Sequence, residues 1–80
     1  LKGDIAMLQK LLELVAWYDE YIIEVHAGHR KYAIVIRDTR KGGKIINDNT
    51  YFETLEYAVA SAYKSFIDYA AEDKGYGVLK

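Results

Sequence analysis

The chain contains neither cysteine nor proline, and it has one methionine and one tryptophan in 80 residues. The absence of cysteine excludes a disulfide, a thiolate nucleophile and a cysteine-based zinc site. No apolar run approaches the roughly 18 residues that a membrane span requires. The apolar stretch from Ile5 to Trp17 is interrupted by Gln9, Lys10 and Glu13. We therefore expect no membrane-spanning or signal segment and a cytoplasmic protein.

The composition, 51% hydrophobic and 29% charged, is that of a folded protein rather than a disordered one. Its length permits one domain, which we assign to residues 1–80. Since the first residue is Leu1 and not methionine, we expect a trimmed or processed chain. A domain this small buries only about 60% of its unfolded surface, so it depends on good packing or self-association.

Two helices are predicted at the ends of the chain. Apolar residues at helical spacing predict the first over residues 4–18, with Asp4 as its N-cap. The second runs to about residue 71, begins at a capping box of Thr50 and Glu53 or at the competing cap Thr54, and ends at Gly75. One face of this second helix is apolar and rich in alanine, and the opposite face is polar.

Three strands are predicted between the helices, over residues 21–26, 31–38 and 44–47. Gly28-His29 fits a two-residue type II′ turn, which would place Tyr21 opposite Ile36 and Glu20 opposite Arg37. One sheet face is then apolar and the other mixed. The fold class is α+β: a two-layer αβββα arrangement whose three-stranded antiparallel meander carries both helices on one face.

The net charge of -1 conceals an uneven distribution. Residues 30–44 carry a net charge of +5 and the remainder carries -6. The basic residues of this segment could form a stripe that binds phosphates or an acidic protein surface. They are Arg30, Lys31, Arg37, Arg40, Lys41 and Lys44.

Tyrosine is abundant, with eight in the chain. We expect Tyr21, Tyr32, Tyr63 and Tyr69 in the core. Exposed tyrosine and tryptophan side chains are enriched at protein interfaces. We therefore select Trp17 and Tyr57 as candidate partner-binding residues; Tyr51 and Tyr76 are expected to be exposed as well.

No pattern of catalytic or metal-ligating residues is evident. His26 and His29 bracket a predicted turn, which suits two surface histidines better than a metal site. Ser61 and Ser65 lie on a helix far in sequence from either histidine, without a nucleophile turn. We predict a protein that is not an enzyme, with no metal, cofactor or small-molecule substrate.

Two resemblances bear on function. Gly28-His29, the strand Lys31–Ile36 and an alanine-rich second helix resemble the double-stranded-RNA-binding domain. The Lys-Lys pair with which that family opens its second helix is replaced here by the acidic stretch 51–56, so RNA binding is not implied. Asp4-Ile5-Ala6 and Thr54–Ala58 resemble the helix–sheet–helix "ABA sandwich" domains of bacteriophages and prophages. That resemblance implies a small viral accessory protein that acts by binding in the host cytoplasm.

The sequence thus predicts a binding module that contacts a protein, with inhibition of a host defence machine as one such role. The wide apolar stripe of the first helix also predicts a homodimer. The alternative is a nucleic-acid-binding domain that uses the basic residues of segment 30–44.

Overall fold

A computed structural model of the chain describes the backbone of residues 2–47 and 50–74, and the side chains of residues 6–47 and 50–72. Helix α1 (Lys2–Trp17) is followed by strands β1 (Tyr21–Gly28), β2 (Lys31–Asp38) and β3 (Lys44–Ile45), and then by helix α2 (Leu55–Lys74). A 3-10 helix, Thr39–Lys41, connects β2 to β3. The strands form an antiparallel sheet in the order β1-β2-β3, which confirms the predicted αβββα fold.

The ends of the helices differ from the prediction. Helix α1 begins at Lys2, so Asp4 lies inside it and does not mark its start. Helix α2 is capped by Thr54, whose hydroxyl accepts a hydrogen bond from the Tyr57 amide at 3.1 Å. The predicted capping box at Thr50 therefore does not open the helix, and Thr54 does. The helix continues to Lys74, and Gly75 lies outside the described residues.

The β1–β2 turn uses a different pair of residues from the predicted one. His29 and Arg30 both have positive φ, 54° and 64°, as a type I′ turn requires at its two central positions. Gly28 therefore pairs with Lys31, and Tyr21 lies opposite Asp38 rather than Ile36. The turn moves by one residue and the register therefore moves by two, so every side chain keeps its predicted face.

The second edge of β2 is completed by more than β3. Beyond the two-residue strand, Ile46 donates its backbone N–H to the Ile36 carbonyl at 2.9 Å. The Asn47 side chain then continues the pairing, because its Oδ1 accepts from the Ile36 amide and its Nδ2 donates to the Ile34 carbonyl. Of the predicted third strand over 44–47, the first two residues form a strand. Ile46 continues the backbone pairing, and the Asn47 side chain takes the place of a further backbone pair.

The core lies between the helices and one face of the sheet. Tyr18, Tyr21 and Phe66 meet edge-to-face at its centre, with ring centroids 5.1 to 6.0 Å apart. Tyr21 is buried, as predicted, whereas Tyr32, Tyr63 and Tyr69 are half-buried and pack against the core from its edge. The buried residues of the core are Leu11, Val15, Tyr21, Ile34, Ile36, Ala58, Val59, Ala62, Phe66 and Ala70.

Candidate protein-binding surface

A groove of about 420 Å³ runs between the two helices on the outer side of the helical layer. Helix α1 contributes Met7 and Lys10 to it, and helix α2 contributes the facing residues. We call this depression the helical groove; its lining residues are Met7, Lys10, Ala60, Tyr63, Lys64, Ile67 and Asp68. Apolar carbon forms its floor, and the charged groups lie along its rim.

The charged groups at the rim of the helical groove make contacts within the protein. Lys64 Nζ lies 3.0 Å from Asp68 Oδ2, one helical turn away, so these two groups balance each other. Lys10 Nζ lies 5.9 Å from the centroid of the Tyr63 ring. The rim therefore carries a net positive charge above an apolar floor.

Trp17 and Tyr57, the two aromatic residues selected from the sequence, do not line the helical groove, but each is exposed on a helix that borders it. Trp17 is 79% exposed and lies two turns after Lys10 on the same side of α1, about 10 Å farther along the helix. Tyr57 is 65% exposed and lies one turn before Ala60 on α2. An exposed apolar surface of this kind is typical of an interaction site.

The six basic residues selected from the sequence do not form one stripe. Arg30 and Lys31 lie at the tip of the β1–β2 hairpin, and both are exposed. The other four lie at or near the opposite end of β2, where the 3-10 helix begins. Seven strand positions separate Lys31 from Asp38, which corresponds to about 23 Å. The predicted stripe is therefore two separate clusters.

Acidic or phenolic groups engage three residues of the second cluster. Arg37 Nε donates to Glu24 at 3.1 Å, where the predicted partner was Glu20. Arg40 Nη2 donates to Asp38 at 2.8 Å, and Lys41 Nζ donates to the Tyr69 hydroxyl at 3.0 Å. These contacts reduce the positive charge that this end of β2 presents to an anion.

Among the charged residues whose side chains the structure describes, Asp38 is the most enclosed, with 0% of its surface exposed. Its carboxylate accepts from the Arg40 side chain, the Arg40 backbone amide and the Tyr69 hydroxyl. These hydrogen bonds, with the Arg40 side chain foremost, lower the pKa of Asp38 to about 2 against the opposing effect of burial. A carboxylate held ionised in this way is a structural anchor and a poor proton acceptor.

The open face of the sheet carries a second, exposed network. Glu24 lies between His26 Nε2 and Arg37 Nε, each 3.1 Å from a carboxylate oxygen. Hydrogen bonds from His26 and Arg37 hold the pKa of Glu24 below its ordinary value. Within the described residues, no three histidine or acidic side chains converge as metal ligands would.

The sequence predicts the exposure of Trp17 and Tyr57 but not the helical groove. The groove depends on how α1 and α2 lie against each other, and the alanine at position 60 is what leaves it open. The sequence signal for it was the width of the apolar arc on α1, which includes Met7. Asp38 was also missed, because its hydroxyl partner Tyr69 is remote in sequence.

Within the described residues, neither helix is long and apolar enough to cross a membrane. Comparisons with protein families, curated proteins and solved structures give no match to this chain.

Proposed function

We propose that this protein is a non-enzymatic binding module that holds a protein partner in the helical groove. The observation that carries the proposal is the groove itself, which has a volume of about 420 Å³ between the two helices and a mostly apolar lining. Trp17, two helical turns after Lys10 on α1, is 79% exposed, an unusual degree for the chain's single tryptophan. Tryptophan is enriched among the residues that dominate binding energy at interfaces.

The chemistry of the groove selects a type of partner. Its floor suits apolar anchors, and the flexible Met7 side chain can adapt to their shape. Lys10, the rim charge that no acidic group of the groove balances, favours an acidic residue beside those anchors. The partner segment is therefore an amphipathic helix whose apolar side chains are flanked by aspartate or glutamate.

The arrangement of polar groups supports binding rather than catalysis. The polar groups of the residues that line the helical groove are two lysines, an aspartate and the Tyr63 hydroxyl, and Lys64 neutralises Asp68. His26, the histidine bonded to a carboxylate, is on the opposite face of the sheet from the helices. A nucleophile with an adjacent base is the usual requirement for acyl or phosphoryl chemistry.

An origin in a phage or mobile element rests on the resemblance carried by Asp4-Ile5-Ala6 and Thr54–Ala58. Under this proposal, the protein occludes a surface of a host machine by seating one of its helices in the groove. The cytoplasm of the host cell is then the place of action. The occlusion of a host machine and the place of action are predictions that depend on the proposed binding mode.

Affinity capture from a native cell extract tests the proposal when a groove variant is compared with the natural chain. Ala60→Arg places a long charged side chain in the helical groove on an exposed helical position, so the fold should tolerate it. Gln9→Arg is the matched control, since Gln9 is exposed on α1 and does not line the groove. We expect a captured protein to be lost with Ala60→Arg and retained with Gln9→Arg.

The single tryptophan then reports on the purified complex. Burial of the exposed Trp17 by the partner should shift its fluorescence emission to shorter wavelength. A captured protein that binds the Ala60→Arg chain as tightly as the natural chain contradicts the groove as the binding site. Capture of nucleic acid, and of no protein, favours the basic residues of segment 30–44 instead.

A further inference from the structure

Strand β1 forms one edge of the sheet along its whole length. It pairs with β2 on one side, and no other strand of the described chain lies on its other side. Edge strands in natural proteins are usually protected by proline, by lysine or by a bulge. Strand β1 (Tyr21–Gly28) has none of these features, and its register with β2 is unbroken.

Along β1, the backbone N–H and C=O groups of successive residues point alternately toward β2 and away from it. On β2, the N–H and C=O groups of Tyr32 bond to Phe52, and those of Ile36 bond to Asn47 and Ile46, away from β1. In an antiparallel ladder, the residues opposite such positions also point away from their partner strand. Their counterparts Ile23, Val25 and Ala27 therefore direct N–H and C=O groups to the outer side of β1.

The side chains along this edge are apolar and accessible. Ile22 is 48% exposed and Val25 is 46% exposed, although each belongs to a strand of the folded sheet. Exposed β-branched side chains beside an accessible backbone edge make a template for another strand.

We propose that this edge binds β1 of a second copy of the chain, antiparallel and centred on Val25. The two sheets join into one of six strands around a two-fold axis, and each copy keeps its helices on the same face. The outward groups of Ile23, Val25 and Ala27 then find partners of the same kind on the second copy.

The sequence of β1 is complementary to itself in this register. The exposed Val25 meets Val25 of the second copy, and Ile23 meets Ala27, so apolar pairs cover this face of the edge. Ile22, on the other face, meets Gly28. On the other face, Glu24 meets His26 of the second copy, a pair that already bonds at 3.1 Å within one strand. Residues 22–28 of both copies take part.

The neighbouring two-fold registers are poorer. Centring on Glu24 places two carboxylates directly opposite each other, which destabilises the pair. Centring on Ile23 places Ile22 against Glu24 and pairs only residues 21–25 of each strand. The Val25 register is thus the longest that matches apolar with apolar and acid with histidine.

Single-cysteine chains test this register directly, because the natural chain has no cysteine. With Val25→Cys, the two sulfur-bearing residues face each other at a Cα separation of about 5.5 Å, within disulfide range. With Ala27→Cys, the two are offset by four positions, about 13 Å along the strand, and cannot bridge. We expect mild oxidation to produce a covalent dimer of the first and a monomer of the second.

Val25→Pro provides a second test in the absence of oxidant. Its N–H points outward, so proline removes no hydrogen bond to β2 and should leave the fold intact. We expect self-association, measured by sedimentation over a wide range of concentration, to weaken by about tenfold or more. Tyr51→Lys, at an exposed position across the sheet, is the matched control and should dimerise normally.

Amide hydrogen exchange distinguishes the amides of β1 that point outward from those that bond to β2. Dimerisation should slow exchange at Ile23, Val25 and Ala27, while the even-numbered amides of β1 are protected at all concentrations by their bonds to β2. The helical groove is not needed for any of these readouts, so they stand or fall separately from the proposed function.

Three results overturn the proposal. The first is a chain that remains monomeric and gives no disulfide with Val25→Cys. The second is a dimer that Val25→Pro leaves unchanged, which assigns self-association to the helices. The third is a Val25→Cys chain that cross-links to other proteins in an extract and never to itself, which assigns the edge to a foreign strand.

Discussion

The hydroxyl of Tyr69 donates a hydrogen bond to Asp38 Oδ2 over 2.9 Å and so joins helix α2 to the end of strand β2. Asp38 has no exposed surface, and a buried carboxylate is tolerated only when hydrogen bonds replace its water. The same hydroxyl accepts from Lys41 Nζ at 3.0 Å, so one phenol links the carboxylate to a lysine. The contact fixes α2 against the sheet at the end remote from the hairpin tip.

Removing this hydroxyl should destabilise the fold. Tyr69→Phe keeps the ring and leaves the buried Asp38 one donor short, at a cost of about 1 to 2 kcal/mol in the free energy of unfolding. Urea denaturation measures this. Tyr57→Phe is the control, because Tyr57 is 65% exposed and its variant should match the natural chain. Equal loss in both variants would mean that the Tyr69 hydrogen bond contributes nothing specific.

Stability should fall in acid over a defined window because of Asp38. Its pKa is lowered to about 2 in the folded chain, from a value of 3.8 without these contacts. The folded state thus favours the ionised form, and the resulting stabilisation is present above pH 3.8 and lost as the pH falls through about 2. The amount is on the order of 2 kcal/mol.

Unfolding free energies measured against pH check this window, with Asp38→Asn as the comparison. The variant lacks the titrating group, so its curve should be flatter between pH 3.8 and about 2. Parallel curves for the two chains would place the acid sensitivity elsewhere.

The order of the elements was predictable because local patterns agree with the global fold. Strand β2 was predicted at its observed bounds, since its apolar alternation is bounded by a turn and by Asp38. The turn was not, because type I′ geometry is favoured by Asn-Gly or Gly-Gly, and here His29 and Arg30 adopt it. Tertiary pairing along eight residues outweighs the preference of two.

The candidate site was predictable only in part. Exposure of Trp17 and Tyr57 follows from their places on helical wheels, and it is confirmed. The separation of the basic residues into two clusters follows from the length of β2, which is a matter of strand geometry. Tyr69, which bonds Asp38, and the backbone groups that bond Asn47 lie 11 to 31 residues away in sequence, and no local pattern identifies such contacts.

Asn47 should be important for stability despite its place in a loop. Asn47→Ala removes the acceptor for the Ile36 amide and the donor to the Ile34 carbonyl, both on the central strand. We expect a loss of about 2 kcal/mol, measured by thermal or urea unfolding. Asn47→Asp keeps the acceptor for Ile36 but sets a carboxylate oxygen against the Ile34 carbonyl, so it should lose at least as much at neutral pH as Asn47→Ala does. The reverse order would contradict the mimicry of a strand by this amide.

The β1–β2 turn should accept a stabilising change. Replacing His29 and Arg30 by asparagine and glycine removes the strain of two positive φ angles and should add about 1 kcal/mol. Gly28→Ala distinguishes the two turn assignments, because Gly28 has open space around it and no positive φ. A marked melting-temperature loss in Gly28→Ala would support the Gly28-His29 turn instead.

Nucleic-acid binding, the alternative function, can be judged by its salt dependence. The two basic clusters are about 23 Å apart along β2, and three members are engaged by protein groups. We therefore expect weak binding of short duplex RNA or DNA, with about two phosphates contacted and a slope of log K against log salt near −2.

A single stripe of six cations would instead give a slope of about −5. Fluorescence anisotropy over a range of salt concentrations measures it. Two paired variants locate the contacts: Arg30→Glu with Lys31→Glu at the hairpin tip, and Lys41→Glu with Lys44→Glu at the other end. A steep slope that falls by about 2 in each paired variant would show that both clusters grip one duplex, and it would favour the nucleic-acid function over the groove.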